Sequence, residues 1–514
     1  TMGNFLVGVD VGTSGTKAIV MNEDGKVYGS HYITYKLITP RPGWAEHDPE
    51  DYWRAVAGTI RESIRQAKIN PEEVKGVSIS ALAPACILVD KDLKPLQNGH
   101  IWMDRRGTAE AQFIREKLGD ERVFQVSGNP IDPYYAAVKL LWEKNNRPEL
   151  YKKAYKLQTA ADYPCMKLTG KAVTDYSNAS LIGIGYDIVN KKWKEEMFEE
   201  IGLDVDKLPD SFPCDEVIGE VTREAAAETG LAPGTPVVAG TVDATAAWAA
   251  GGATEDGDMS ISMGTAGCMG FIHSKPTFTR NMITIVHTVD SRNMYTTCAA
   301  TCAFGSVTRY FRDTFGEMEL LKEKESGMDA YQLLSDQAEK TPVGSDGLIT
   351  LPYFMGERTP IWDPVARGMV FGWSLTHTKA HLLRSFMEGA VYAVRHNFET
   401  VKASGVEMHE PLILCEGGAV NPFWRQMMSD IIGIQTGYMK DLKGAPFGNA
   451  VAAGVGTGIY KDYSMLKEKA EISELHEPDP ERRAIYDKLY PLFRSLYEDV
   501  KHEFPVLAEV TGYK

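Results

Sequence analysis

The chain has 514 residues, of which 43% are hydrophobic and 24% are charged, and its formal net charge is −15. This length exceeds what one hydrophobic core usually supports and suggests about two to four domains. The acidic balance argues against a nucleic-acid-binding or anionic-membrane-binding surface, because both reward positive charge. A small anionic ligand stays open, since it responds only to local charge.

No stretch of the sequence reaches the roughly 18 to 20 apolar residues that a membrane helix needs. The N-terminal segment runs directly into a predicted strand and shows neither a basic start nor a cleavable apolar segment. Seven cysteines in a chain of this size do not form a disulfide framework, and no other Cys or His stands at metal-ligand spacing beside Cys298 and Cys302. These features predict a cytoplasmic protein with reduced thiols.

The first eighty or so residues predict a meander of strands, then a helix and another strand. FLVGVD, TKAIVMN and KVYGSHYITY have strand composition, and the Asp-Gly pair in NEDGK is a hairpin signal. The segment 51–69 carries apolar residues at helical spacing, with Asp48 before Pro49 as its candidate cap. VKGVSISAL predicts the strand that follows the helix.

A short motif occurs twice. Gly12-Thr13-Ser14-Gly15 follows the first strand and its terminal Asp10, and Gly264-Thr265-Ala266-Gly267 stands between two predicted strands in 258–272. The two copies are 264 − 12 = 252 residues apart, about half the chain. The repeat predicts two lobes of related architecture with a cleft between them, although a match this short also arises by chance.

The two glycine turns predict phosphate binding. Backbone amides of a tight glycine-rich turn form an anion-binding nest, and threonine hydroxyls add donors. A single copy is explained by hairpin chemistry alone, and neither a Walker A loop around Lys17 nor a GxGxxG fingerprint is present. A carboxylate such as Asp10 beside a polyphosphate requires a cation, and Mg²⁺ suits that position. The alternative is that Asp10 caps its own turn.

Asp243 in GTVDATAAW stands between an apolar strand and an alanine-rich helix. Such a carboxylate serves either as a helix cap or as the general base that accepts a hydroxyl proton during phosphoryl transfer. The residues alone leave both roles open. We place a lobe boundary near residue 250.

Two further stretches suggest ligand contacts. IWMDRRG contains Trp102, Asp104 and Arg105, a set that suits a polyhydroxylated ligand and equally suits the start of a helix with surface arginines. LCEGGAVNPFW places Gly417 and Gly418 at a strand-to-helix turn, where a flat ligand such as adenine can approach closely.

Together these motifs resemble the FGGY family of carbohydrate kinases over nearly the whole chain. VGVDVGTSGTK is similar to the family's first phosphate motif, GTVDA to the segment with the catalytic aspartate, and SMGTAG to the second phosphate motif. LPYFMGERTPIWDPVARG resembles a block typical of xylulokinases, and CEGGAVNPFW resembles the adenosine-side segment. The remaining blocks that carry the resemblance are GWAEHDPEDYW, DYPCMKLTG with TDYSNAS, and GMVFGWSLTHTKAHLLRSFMEGAVY.

The resemblance implies an α/β protein with the two-lobed, actin-like and ribonuclease-H-like ATPase fold, which binds nucleotide and sugar in its inter-lobe cleft. The N-terminal lobe would span 2–250 and the C-terminal lobe 251–514. The implied activity is transfer of the γ-phosphoryl group of Mg-ATP to a sugar or polyol hydroxyl, with ATP and Mg²⁺ as cofactors, Asp243 as base and Asp10 at the metal. The residues implied at the other subsites are Gly12, Thr13, Ser14, Lys17, Gly264 and Thr265 for the phosphates, Gly417, Gly418 and Asn421 for the adenosine, and Ala83, Trp102, Asp104 and Arg105 for the sugar, with Glu46 in a structural role behind it.

One departure from the family affects the substrate. Many xylulokinases carry Gly-Gln-Met-His-Gly after the strand that matches VSIS, whereas this chain has SALAPACILVD at 80–90. Because that segment lines the family's sugar pocket, the change alters which hydroxyls can be satisfied. D-Xylulose is the favoured substrate, and D-ribulose, L-ribulose, gluconate, glycerol and erythritol stay open.

Two other classes of function are alternatives to a kinase. An actin- or Hsp70-like nucleotide switch would share the fold but leaves the Asp104–Arg105 pair and the GERTP block without a role. A sugar sensor of weak activity would not need Asp10, Asp243 and both Gly-Thr turns. The resemblance also leaves a homodimer open.

Overall fold

The computed structural model describes residues 3–513 as alternating strands and helices. The strands are β1 (Phe5–Val11), β2 (Gly15–Asn22), β3 (Val27–Thr34), β4 (Glu46–His47), β5 (Val74–Ala81), β6 (Ile87–Val89), β7 (Gly99–His100), β8 (Lys156–Gln158), β9 (Thr174–Asp175), β10 (Tyr186–Asp187), β11 (Lys192–Trp193), β12 (Ser211–Phe212), β13 (Val217–Glu220), β14 (Pro236–Val238), β15 (Thr241–Val242), β16 (Met259–Met263), β17 (Gly267–His273), β18 (Ile283–Val286), β19 (Tyr295–Ala300), β20 (Ile349–Leu351), β21 (Met369–Phe371), β22 (Leu412–Cys415), β23 (Thr436–Tyr438) and β24 (Glu474–His476). The α-helices are α1 (Pro49–Ala67), α2 (Thr108–Leu118), α3 (Asp120–Ser127), α4 (Ala136–Asn146), α5 (Pro148–Lys153), α6 (Asp162–Thr169), α7 (Tyr176–Ile182), α8 (Glu195–Glu200), α9 (Arg223–Thr229), α10 (Asp243–Ala250), α11 (Gly305–Phe315), α12 (Glu317–Ser326), α13 (Ala330–Glu339), α14 (Lys379–Ala403), α15 (Pro422–Ile432), α16 (Ala445–Gly456), α17 (Ser464–Lys469), α18 (Pro480–Val500) and α19 (Glu503–Thr511).

The chain folds into two units whose segments interleave. The first unit contains the chain up to Asp256 together with Ile272–Thr297 and Lys443–Ala470, and the second contains Gly257–Phe271, Cys298–Leu442 and the chain from Glu471 onward. Two later segments therefore pack with the first unit. The division near residue 250 stays a prediction about family domains.

The main sheet of the first unit begins as the predicted meander. β1, β2 and β3 pair antiparallel, and β1 pairs parallel with β5 after the chain has passed through α1. The order across the sheet is β13-β14-β5-β1-β2-β3, and β15 also pairs parallel with β5. The Asp48 side chain accepts a hydrogen bond from the amide of Glu50, which confirms the predicted cap of α1.

Helices cover both faces of this sheet. Neighbouring residues on a strand point to opposite faces, and β1 follows this rule, because Val7 packs in one apolar cluster with Ile60 of α1 while Leu6 packs in another with Val451 of α16. Gly8 permits the close approach of α16, since a Cβ atom there would lie 1.8 Å from the carbonyl oxygen of Pro446. This packing buries the strands up to the edge where the candidate site begins.

The second unit repeats the hairpin of the first. β16 and β17 pair antiparallel around Gly264–Gly267, and β16 pairs parallel with β22, which pairs parallel with β23. β24 adds an antiparallel strand beyond β23. Both units thus contain a Gly-Thr hairpin, as the repeated motif predicts, and in each unit the first strand of the hairpin also pairs with a parallel strand.

One predicted strand is interrupted. VVAGTV forms two short strands, β14 and β15, rather than a continuous one. The amides of Ala239 and Gly240 donate to the carbonyls of Glu216 and Cys214, and Gly240 has a φ of 100°. The break occurs because this glycine takes a left-handed conformation close to the carbonyl of Ile79.

Candidate functional site

Asp10 and Asp243 lie at the same edge of the first sheet. The register pairs Asp10 of β1 with Ser80 of β5, and Ser80 in turn with Thr241 of β15. Asp243 follows β15 directly as the first residue of α10. Both carboxylates contribute to raising the pKa of the Tyr35 hydroxyl, after the larger effect of burial, which places them within electrostatic range of one ring.

A chain of hydrogen bonds holds Asp10. The Ser80 hydroxyl donates to Oδ1 of Asp10 at 2.6 Å, and Nδ2 of Asn449 donates to that hydroxyl at 2.7 Å. Burial raises the pKa of Asp10 to about 6, although the bond from Ser80 opposes the shift. A carboxylate that is destabilised by burial gains from a nearby cation. The oxygen donor and its surroundings therefore fit Mg²⁺.

The first glycine turn is rigidly tied. The Gly12 amide donates to the carbonyl of Gly15 at 2.9 Å, and the Tyr35 hydroxyl donates to the carbonyl of Gly12 at 2.6 Å. Ser14 and Lys17 are exposed beside this turn. Their donors are accessible to an anion, and their role in phosphate binding stays a prediction.

Thr13 and Trp102 are brought together although they are 89 residues apart in the chain. The indole Nε1 of Trp102 donates to the hydroxyl of Thr13 at 3.2 Å. Both side chains are half-buried. The residue implied for the sugar thus contacts a residue implied for the phosphates.

Asp104 is enclosed in a buried ion pair. Nη2 of Arg106 donates to Asp104 at 2.7 Å and to Glu46 at 2.6 Å, and the amide of Ala45 donates to Asp104 at 2.7 Å. Burial alone would raise the pKa of Asp104, but the bonds from Arg106 and Ala45 outweigh it and lower that pKa. Asp104 is only 1% exposed, so the contacts that the structure shows for it are structural ones. Glu46 pairs with the same guanidinium, and its place behind a sugar site stays a prediction.

The Arg105 side chain points away from Asp104 and Arg106. Its guanidinium forms two hydrogen bonds with Asp132, at 2.5 and 3.1 Å, and its side chain is 47% exposed. Nearby, the hydroxyl of Tyr134 donates to the carbonyl of Ala83 at 3.2 Å. Arg105 and Ala83 therefore lie beside opposite ends of the short loop that contains Asp132 and Tyr134.

A buried lysine joins that loop to the Asp104 segment. Nζ of Lys139 donates to the carbonyl oxygens of Pro133, Tyr134 and Asp104, at 2.6, 2.9 and 3.3 Å. Burial lowers the pKa of Lys139 to about 8. The sequence gives no signal for this lysine, because an isolated Lys within a helix ordinarily faces solvent.

Asp243 is the first residue of α10, and Val242 occupies the cap position. Its Oδ1 accepts a hydrogen bond from the next amide, that of Ala244, at 2.7 Å. The carboxylate is half-buried. It therefore lies at the positive end of a helix without serving as its N-cap, and the role of general base stays a prediction.

The second unit contains a cavity of about 580 Å³ beside its own glycine turn. Five predicted residues line it, and they come from the β16–β17 turn and from the segment that joins β22 to α15. These residues are Gly264, Thr265, Gly417, Gly418 and Asn421. The volume suits a drug-sized ligand or a nucleoside.

Local interactions shape this cavity. Oδ1 of Asn421 accepts the amides of Phe423 and Trp424 as the N-cap of α15, and its Nδ2 donates to Ser335 at 2.8 Å. The carbonyl of Thr265 accepts the amide of Phe304 at 2.9 Å. Asn421 thus supports the wall of the cavity, and a direct adenosine contact stays a prediction.

Glu416 is a residue that the sequence interpretation missed. It lines the cavity, it has a φ of 70°, and its Oε2 would lie 2.7 Å from a Cβ atom on Gly264. A non-glycine residue in this backbone region is uncommon and often marks a functional constraint. The only sequence signal is its place before the two glycines.

The described part of the chain contains neither a metal-binding cluster nor a membrane-spanning helix. Within residues 3–513, no group of three or more His, Cys, Asp or Glu side chains is arranged to hold a metal ion by itself. No helix in the same range is long and apolar enough to cross a membrane.

Comparison with known proteins identifies relatives along the whole chain. The model of the N-terminal domain of the FGGY family of carbohydrate kinases matches residues 5–250, and that of the C-terminal domain matches 259–457. A gluconokinase from Bacillus subtilis is 30% identical, with 99% of this chain and 98% of that protein covered. A xylulose kinase from the same organism is 28% identical, with 97% of each covered. The crystal structure of xylulose kinase from Rhodospirillum rubrum superposes with a TM-score of 0.89 at 27% identity, covering 98% of this chain and all of that one.

Proposed function

The chain belongs to the FGGY family of carbohydrate kinases and is therefore a phosphotransferase that acts on a hydroxyl group, and we propose that it phosphorylates D-xylulose with ATP. The observation that supports the reaction is the shared sheet edge of Asp10 and Asp243. The Asp10 carboxylate is suited to a metal ion that also binds phosphate, and the Asp243 carboxylate is suited to accept the proton of a hydroxyl group. Use of ATP makes the cytoplasm the proposed compartment.

In the proposed reaction the Asp243 carboxylate accepts the proton of the sugar hydroxyl. The freed oxygen attacks the γ-phosphorus, the bond from that phosphorus to the β,γ-bridging oxygen breaks, and ADP leaves with that electron pair. Amides and hydroxyls of the two Gly-Thr turns would bind the phosphates. The cavity that Gly417 and Gly418 line would hold the adenosine.

Asp10 is the residue that would hold Mg²⁺. The metal would neutralise the negative charge of the phosphates as that charge shifts during the transfer. Ser80 and Asn449 keep the carboxylate in place through their hydrogen bonds. Burial raises the pKa of Asp10, and a bound cation would offset the cost of keeping that carboxylate charged.

The relatives suggest two substrates, and the arginine beside the candidate sugar residues favours the uncharged one. D-Gluconate carries a carboxylate that would require a cation, but Arg105 is already engaged by Asp132 through two hydrogen bonds. An uncharged ketose needs no such cation. D-Gluconate is the second candidate, because a gluconokinase is among the relatives at 30% identity.

The test is sugar-dependent ADP release by the purified protein with Mg-ATP. The panel contains D-xylulose, D-ribulose, L-ribulose, D-gluconate, glycerol and erythritol. We expect D-xylulose to give the highest kcat/KM. A higher value with gluconate would replace the substrate proposal and leave the kinase reaction intact, whereas ADP release that no sugar changes would contradict the proposed acceptors.

A further inference from the structure

Two cysteines of the second unit lie side by side just after its glycine turn. Cys268 is on β17, Cys298 is on the neighbouring strand β19, and their Sγ atoms are 3.8 Å apart. A disulfide requires about 2 Å between the sulfurs. Side-chain rotations and a slight movement of the two neighbouring strands would have to close the remaining gap.

Cys268 is the more reactive member of the pair, and Cys298 is buried beside it. Cys268 is half-buried, and its pKa is lowered by the hydrogen bond to Cys298 and by the charge of Arg358, against the opposing effects of burial and Glu416. The thiolate is the nucleophilic form of cysteine. By contrast, burial raises the pKa of Cys302 to about 11.

We propose that Cys268 and Cys298 form a reversible disulfide in the presence of a hydroperoxide, and that this oxidation weakens ligand binding in the neighbouring cavity. The Cys268 thiolate attacks a peroxide oxygen and becomes a sulfenic acid, and the other oxygen leaves as water after protonation. Cys298 then attacks that sulfur and releases the second water. The balance is two thiols and one hydrogen peroxide to one disulfide and two waters, and a thiol reductant reverses it.

The link to the cavity passes through the backbone of the turn. The amide of Thr301 donates to the carbonyl of Gly267 at 2.9 Å, and the amide of Gly267 donates to the hydroxyl of Thr301 at 3.0 Å. Thr265, which lines the cavity, accepts the amide of Phe304. Drawing the sulfurs together shifts the start of β17 against β19, and this shift moves the turn that both strands support.

The first test maps the disulfide in the full-length protein. The protein is treated with hydrogen peroxide, remaining thiols are blocked with N-ethylmaleimide, and digested peptides are analysed by mass spectrometry. We expect a Cys268–Cys298 crosslink that dithiothreitol removes and that both C268S and C298S lack. C165S, which changes a buried thiol of the first unit, is the control and should keep the crosslink. Overoxidation of Cys268 without a crosslink, or a crosslink only to Cys302, would overturn the proposal.

The second test measures the affinity for a fluorescent ATP analogue before and after oxidation. This part rests on the proposed function. We expect Kd to rise at least about fivefold on oxidation in the wild type and in C165S, and to stay unchanged in C298S. A crosslink without a change in Kd would overturn the coupling to the cavity. Absence of binding by the reduced protein would instead contradict the proposed ATP site, and the disulfide would stand on the first test.

Discussion

The indole of Trp102 donates a hydrogen bond to the hydroxyl of Thr13, at a distance of 3.2 Å. Trp102 precedes the buried Asp104, whereas Thr13 belongs to the glycine turn that follows β1. Because the Thr13 hydroxyl accepts this bond through one lone pair, its own proton can still be donated to a phosphate oxygen. It thereby joins the loop implied for sugar binding to the turn implied for phosphate binding.

Trp102→Phe should lower kcat/KM while keeping the ring that packs against the sheet. The change removes one hydrogen bond, whose net worth is about 0.5–1.5 kcal/mol, so we expect a loss of roughly 2- to 10-fold. The measurement is steady-state ADP release with the best sugar. Trp193→Phe is the matched control, because its indole N–H also donates a hydrogen bond, to the carbonyl of Pro209 at 2.9 Å. Equal losses in both variants would show that the bond to Thr13 has no special role.

Asp104 and Arg105 should respond to substitution in different ways. Asp104→Asn removes a charge from the buried pair with Arg106, and we expect it to lower the free energy of unfolding by about 3 kcal/mol. Arg105→Ala removes a partly exposed pair with Asp132 and should change stability by less than about 1 kcal/mol. Urea unfolding measures both values. A stable Asp104→Asn protein with a raised KM for sugar would instead assign Asp104 to direct substrate contact.

Local patterns are what the sequence predicts well. The hairpin around Gly12 and the capped start of α1 at Asp48 agree with the structure, because strand alternation, turn residues and capping are encoded within a few positions. Contacts between distant segments are not encoded in this way. Asn449 donates a hydrogen bond to Ser80, which is 369 positions away in the chain, and no local sequence pattern predicts that bond.

The Asp104 segment shows the same limit at short range. Arg105 and Arg106 are adjacent and chemically identical, but only Arg106 turns inward to bind Asp104 and Glu46. The Arg106 guanidinium also stacks on Trp44, 3.6 Å from its ring centroid. The sequence shows which residue types form this cluster, but which of the two arginines turns inward depends on the tertiary packing.

Gly417→Val should weaken nucleotide binding without unfolding the protein. A Cβ atom on Gly417 would meet nothing within 4 Å, and the residue lines the cavity of the second unit. A branched side chain there should fill space meant for the ligand, and we expect Kd for ATP to rise at least about tenfold, or 1.4 kcal/mol. Isothermal titration measures Kd, and thermal unfolding checks the fold. Gly444→Val is the control, because Gly444 lies in the first unit with its nearest neighbour 3.6 Å from the added Cβ.

Asp162→Asn should stabilise the protein at neutral pH. Burial raises the pKa of Asp162 from 3.8 to about 7, against the hydrogen bond from the amide of Thr159. The folded state therefore binds the proton more tightly, so this contribution to stability is complete below about pH 4 and is lost as the pH rises through 7. We compare the free energies of unfolding of the variant and the wild type at each pH. The advantage of the variant should grow between pH 4 and 7, by at most about 1.4 kcal/mol per pH unit.

Urea unfolding at several pH values measures this difference, and Asp187→Asn provides the contrast. Burial would raise the pKa of Asp187, but hydrogen bonds from Asn190 and Lys194 outweigh it and lower that pKa. Its carboxylate therefore stabilises the folded state at neutral pH, and Asp187→Asn should destabilise the protein with no growth of the difference from pH 5 to 7. A flat difference for Asp162→Asn over the same range would mean that its carboxyl titrates normally.

Asp243→Asn should strongly reduce phosphoryl transfer while nucleotide binding persists. The amide keeps the size of the side chain and can still accept the Ala244 amide, but it does not take up a hydroxyl proton. General-base catalysis is worth about 10²- to 10⁴-fold, so we expect kcat to fall by that factor and Kd for ATP to change little. The control is Asp120→Asn, which also changes the first residue of a helix, α3, at a position with 60% side-chain exposure. Near-normal turnover by Asp243→Asn would remove the base assignment and leave Asp243 only the electrostatic and structural effects of a carboxylate at a helix N-terminus.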